Sequence, residues 1–309
     1  MPLTVLVTSP RVAPGLMSWA AWSTVARASV RLARDADLPV ARAVAEAGHR
    51  VEERPAGPDA DLLASAAGAD VVWLASPEEV DRLPDLVASR PEVPVEVVHG
   101  SHDVPGSRLL DLVAVMDRLR TECPWDRKQT HRSLAPYLLE ETYETLEAVE
   151  SGDLQHLREE LGDLLLQVFF HARVAAEAGP SGFTVDDVAT GIVDKLVHRH
   201  PHVFADVEVA DADEVDRNWE DLKAAEKGRA SVLDGVPLAL PALALADKVL
   251  GRAARVGVAP GPVDGSLGER LLALVVTARA GGEDAEQALR DAVRRLAVTV
   301  RAAEVPSAT

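Results

Sequence analysis

Apolar positions recur along the chain in two rhythms. Over the first hundred residues, short β-branched runs alternate with helical periods: LTVLVTS from Leu3, ADVVWLAS from Ala69 and VPVEVVHG from Val93, separated by STVARASVRLA and VARAVAEAGHRVEERP. Such alternation predicts a small α/β layer with a mostly parallel sheet. From Arg108 onward the strand signal nearly vanishes. SRLLDLVAVMDRLRTE is amphipathic, and Pro124 breaks the pattern. Ser133 is then expected to cap a helix, with Pro136 in its first turn, that runs to Gly152. Asp153 caps the next helix, Thr184 a third that stops before Pro201, and ADEVDRNWEDLKAAEKGRA from Ala212 reads as a fourth. The expected fold is mainly α: a helical bundle behind a small N-terminal α/β domain.

The C-terminal stretch repeats the bundle. LGDLLLQVFFHAR, residues 161–173, aligns without gaps to LGERLLALVVTAR, residues 267–279. At the positions of Glu160 and Asp163 the second copy carries Ser266 and Glu269, and nothing before it resembles EETYE. The expected division is therefore 1–105 for the α/β domain, 106–230 for the bundle, and 231–309 for a linker with a degenerate, chemically dead helical repeat.

Acids interrupt the apolar pattern where packing should be tightest. At about 100° per residue, Leu138, Leu139, Leu146 and Val149 share one helix face, with Glu141 and Glu144 on its flank and Glu140 and Glu147 further away. The following helix is apolar on nearly every side, yet Glu160, Asp163 and Gln167 form one narrow polar stripe within it. That pattern predicts a buried helix with buried acids, which without partners cost several kcal/mol each or take up protons. No lysine or arginine stands at helical spacing from the stripe. Glu141 with Glu144, and Glu160 with Asp163, are each i,i+3 pairs, so antiparallel packing brings four carboxylates to one spot. Hard divalent cations, Mg²⁺ above all, take such oxygen ligands and complete their shell with water and phosphate. A di-iron site needs Glu-x-x-His pairs, which this hairpin lacks.

Composition narrows the partners. The 309 residues carry a formal charge of −18, which repels polymeric nucleic acid and anionic membranes. A single cysteine, Cys123, excludes an intrachain disulfide and a thiolate zinc site. With no apolar run near the roughly 20 residues of a membrane span, and no basic start or apolar core of a signal peptide, a cytoplasmic protein is expected. The segment TSPRVAPG after the first apolar run offers prolines where a phosphate-binding loop needs glycines, so a structural or interaction role is expected for the N-terminal domain.

CPWDRKQTHRSLAPYLLEETYETLEAV, EELGDLLLQVFFHA and HPHVF together resemble the MazG family of nucleoside triphosphate pyrophosphohydrolases, whose metal motif is EExxE followed by ExxD. The resemblance covers roughly residues 109–257. It implies hydrolysis of NTPs or dNTPs between the α and β phosphates, with Mg²⁺ or substituting Mn²⁺ held by Glu141, Glu144, Glu160 and Asp163. Glu140 is implied to orient or deprotonate the attacking water, with Glu144 also at the catalytic centre. Lys195, Arg199 and Lys223 match the family's phosphate contacts, and Trp219 its base-stacking aromatic. His198, His200 and His202 match a turn and are expected to cap and pack, while Trp125 is expected to pack beneath the site. A homodimer and a house-cleaning role against damaged nucleotides are implied. The N-terminal domain resembles the start of a tetrapyrrole methylase, without its glycine motif. Two other functions share these residues: a single-metabolite pyrophosphatase acting on dUTP or phosphoribosyl-ATP, and a non-catalytic nucleotide sensor or scaffold.

Overall fold

The computed structural model describes residues 3–57, 69–82, 94–205 and 231–304 apart from 262–264, with scattered positions 84, 85, 88, 207, 209, 211, 214, 215 and 219. It divides into two compact units, Met1–Thr190 and Gly191–Thr309.

The first unit opens with β1 (Leu3–Val7), β2 (Val30–Ala33), β3 (Glu52–Glu53), β4 (Val71–Leu74) and β5 (Val95–His99), all parallel in the order β3-β2-β4-β1-β5. β1 and β4 are buried at every position, as a parallel sheet covered on both faces requires. The edges are blunted by charge, with Glu52 and Glu53 forming all of β3 and Glu96 exposed on β5. Helices α1 (Trp19–Arg27) and α2 (Pro39–Glu46) lay Ala21, Val25, Val40 and Val44 on Leu6, Val72 and Leu74. Leu3, Val5, Leu32 and Trp73 fill the opposite face. The fully buried Trp73 donates its indole N–H to Glu79 Oε2 at 3.2 Å, and Arg34 holds the other oxygen of that buried carboxylate at 3.0 Å. The expected parallel α/β layer is present.

The bundle follows with α3 (Arg108–Glu122), α4 (His131–Ser151) and α5 (Leu154–Ala176), and α6 (Val185–Arg199) begins in this unit and ends in the second. Its core is Met116 of α3, Leu134 of α4, and Phe169 and Phe170 of α5. Between α3 and α4 the Cys-Pro-Trp-Asp turn is pinned from below by Arg120, only 8% exposed. Its guanidinium donates to the carbonyls of Asp126 and Gln129 and makes a bidentate pair with Glu177, at 2.7 and 2.8 Å. Trp125 is half exposed against the edges of Tyr137 and Phe170, rather than covered beneath the acids.

Two expectations need correction. Thr130, not Ser133, caps α4: each of the two hydroxyls accepts from the other's backbone N–H, at 3.2 and 2.9 Å. Pro136 therefore sits inside the helix, where it lacks the N–H that would reach Arg132. Nor is α5 covered all round. Leu161 is 49% exposed and Val168 40%, alongside Leu139 and Val149 of α4, because α5 packs mainly on α3 and α4 among the described residues.

The second unit contains a single helical turn, Pro201–Phe204, then α7 (Ala242–Arg255), α8 (Leu267–Ala280) and α9 (Ala285–Glu304). Most of the predicted fourth bundle helix, including Lys223, lies outside the described residues, although Glu214, Val215 and Trp219 are helical. The repeat is visible as geometry. Arg173 of α5 pairs with Asp117 of α3 at 2.9 Å, and its aligned counterpart Arg279 of α8 pairs with Asp247 of α7 at 2.7 Å. Ser266, aligned with Glu160, caps α8 by accepting from Glu269 N, so the copied helix begins where α5 already carries its acids.

Candidate active site

The acidic site is built by the α4–α5 hairpin. Gly152 at φ 74° ends α4 in the left-handed conformation that favours glycine, and Asp153 accepts from the amides of Gln155 and His156 to start α5. This tight reversal sets the two acidic pairs opposite each other. One carboxylate oxygen from each of Glu141, Glu144 and Glu160 lies within 4.8 Å of the other two. Glu141 and Glu160 are half-buried, and Glu144 is exposed.

Charge accumulates there. The Glu141 carboxyl is held above the usual carboxylate range, first by burial and then by the negative charges of Asp163, Glu144, Glu160 and Glu140. Three of the four expected ligands thus converge. Asp163 is exposed and outside the three-oxygen cluster, yet near enough for its charge to act on Glu141. Glu140 is exposed on the same helix. One turn beyond Asp163, the Gln167 amide oxygen is buried with no hydrogen-bond partner among the described residues. The three clustered ligand atoms are all carboxylate oxygens, which suit a hard divalent cation, and a bound cation would relieve the repulsion felt by Glu141.

The sequence pattern missed one residue of this site. His156, one turn before Glu160, brings Nε2 to 3.0 Å from Glu160 Oε1. The i,i+4 spacing is its signal in the sequence, since a histidine, like a lysine or arginine, can partner a glutamate one turn on. Thr145 Oγ1 also donates to the Glu160 carbonyl at 3.3 Å across the hairpin.

The expected phosphate and base contacts belong to the second unit. Arg199 is buried with its guanidinium carbon 5.3 Å from the centre of the Trp219 ring, a cation–π contact, whereas Lys195 is exposed. His200 stacks edgewise on Trp219 with centroids 4.7 Å apart, and its Nδ1 lies 2.7 Å from the Leu196 carbonyl, so this histidine caps and packs as expected. His198 is exposed.

Comparison with known proteins bears on these residues directly. Residues 129–204 match the family model described as the MazG nucleotide pyrophosphohydrolase domain, a segment containing the whole hairpin. The chain is 49% identical over 233 residues to an uncharacterized 26.1 kDa protein of Streptomyces cacaoi, covering 74% of this chain and 96% of that one. It is 46% identical over 233 residues to a nucleoside triphosphate pyrophosphohydrolase of Mycolicibacterium smegmatis, covering 72% and 69% of the two chains. With a nucleoside triphosphate pyrophosphohydrolase/pyrophosphatase from Thermotoga maritima it shares 38% identity over 212 residues, or 60% of this chain and 81% of the relative.

Proposed function

This chain belongs to the MazG nucleotide pyrophosphohydrolase family, and on that premise we propose that it hydrolyses nucleoside triphosphates between the α and β phosphates, releasing monophosphate and pyrophosphate. The observation that carries this reading is the convergence of Glu141, Glu144 and Glu160 within 4.8 Å of one another. These three would hold the cation, Mg²⁺ or Mn²⁺, with Asp163 as the fourth ligand. The metal supplies charge neutralisation for the triphosphate, activation of water and stabilisation of the departing pyrophosphate. Glu140 orients or deprotonates the attacking water. Lys195, Arg199 and Lys223 bind the outer phosphates, and Trp219 stacks on the base. Arg199, held over the Trp219 face, supports the last two roles by joining a phosphate-binding group to an aromatic platform.

The natural substrates are damaged or otherwise irregular nucleotides, and the protein works in the cytoplasm as a homodimer. The uncovered leucines and valines of α4 and α5 support the dimer, because apolar stripes at helical spacing call for a covering helix. Product analysis tests the reaction. Purified protein with Mg²⁺ and a panel of NTPs and dNTPs, ordinary and modified, should yield monophosphate and pyrophosphate, and Asp163→Asn should lose that activity. Orthophosphate as the first product would contradict the reading. Nucleotide binding without turnover would favour the sensor function instead.

A further inference from the structure

We propose that His156 is a positioning residue for the cation-binding carboxylate of Glu160, an assignment that rests on the metal reading above. His156 Nε2 stands 3.0 Å from Glu160 Oε1, an ion-pair distance four residues apart on α5, and a proton on Nε2 is what would make that approach favourable. Either the neutral Nε2–H tautomer or the imidazolium presents a proton there.

The histidine is itself well anchored. Its backbone N–H is bound by the Asp153 side chain at 3.2 Å, which fixes the first turn of α5 and with it the starting point of the imidazole. Glu160 has few other restraints. Its side chain is 14% exposed against 41% for His156. The Thr145 contact reaches only the Glu160 backbone. Holding one carboxylate oxygen restricts rotation about the last side-chain bond, so less freedom is lost when the cation binds. Outer groups that orient metal-binding side chains tune metal affinity by about 10- to 100-fold.

Imidazole suits the place better than a lysine would. A lysine would set a permanent unit charge on the oxygen that the cation needs, on a longer and more flexible stem than the imidazole's. The neighbouring residue pair supplies a natural control for substitution: Gln155 Nε2 donates to Glu159 Oε1 at 2.9 Å over the same i,i+4 spacing. A glutamine at 156 can therefore reach Glu160 in the same way.

The experiment is Mn²⁺ binding to the full chain, followed by the EPR signal of free Mn²⁺, for wild type, His156→Ala, His156→Gln and Glu160→Gln, with melting curves to confirm folding. His156→Ala should weaken Mn²⁺ binding about tenfold, and His156→Gln should restore most of that loss. The Mn²⁺ concentration for half-maximal turnover should rise in His156→Ala, with kcat at saturating metal largely kept. If His156→Ala binds Mn²⁺ like wild type while Glu160→Gln does not, the positioning role is overturned and the metal site stands. If His156→Gln is no better than His156→Ala, the N–H donation is overturned. If Glu160→Gln also binds like wild type, the metal reading itself fails and takes this proposal with it.

Discussion

Arg120 and Glu177 show how much a single ion pair can organise. The guanidinium is buried and satisfies two turn carbonyls besides the carboxylate, so Arg120→Ala removes several charge-assisted hydrogen bonds together and should cost about 2 to 3 kcal/mol in thermal or denaturant unfolding. Glu177 carries the pH dependence. Its hydrogen bonds with Arg120 hold its carboxyl below the usual range, which means that the folded state binds a proton less readily than the unfolded chain. Its stabilising contribution is therefore present above the unfolded value of about 4.3 and lost as pH falls through the lower folded value. In melting curves, Glu177→Gln should lie below wild type at neutral pH and approach it in acid. A gap that does not narrow would assign the effect to packing. This pair was not legible in the sequence, and His156 was legible only as an i,i+4 spacing to Glu160. An arginine in an amphipathic helix reads as solvent-facing, and only the turn carbonyls brought over it by the fold explain its burial. The acids were legible because charge inside a leucine-rich period has few structural explanations.

At the level of elements, periodicity located the helices well and their starting points less well. Thr130 and Ser133 are both good caps three residues apart, and Pro136 favoured the later one because proline prefers a first turn. The reciprocal pair with Thr130 outweighs that preference, since it satisfies two backbone N–H groups while the internal proline removes one bond. Sequence also overstated the burial of α5: a helix apolar on most sides implies a cover but not that its own chain supplies it. The packed side is real, however. Phe169 meets Met116 and Leu134 in the bundle core, and Phe169→Ala should cost about 3 kcal/mol by leaving a cavity. A loss below about 1 kcal/mol in denaturant titration would mean that the three helices close around the gap.

Across the whole chain, the two arginines that the sequence repeat aligns each pair with an aspartate of a neighbouring helix, Asp117 with Arg173 and Asp247 with Arg279, and of the two expected copies only the first carries the acidic set. In the other, the cap at Ser266 starts the helix late, and Glu269 stands alone where the ligand pair would be. Glu269→Gln should leave turnover within about twofold of wild type, the scale expected of surface changes away from a site; a severe loss would show that the second copy takes part. The same long view bears on assembly. Because α4 and α5 expose a band of large apolar side chains, light scattering at micromolar protein should give twice the mass of the chain, and a monomer would contradict the dimer. The most direct measurement of the central claim is the rate of pyrophosphate release from a nucleoside triphosphate with Mg²⁺, comparing wild type with Glu160→Gln. The account predicts turnover in wild type and a fall of more than about a hundredfold in the variant, beyond the range for residues that only orient a metal ligand. Wild-type rates in Glu160→Gln would contradict it.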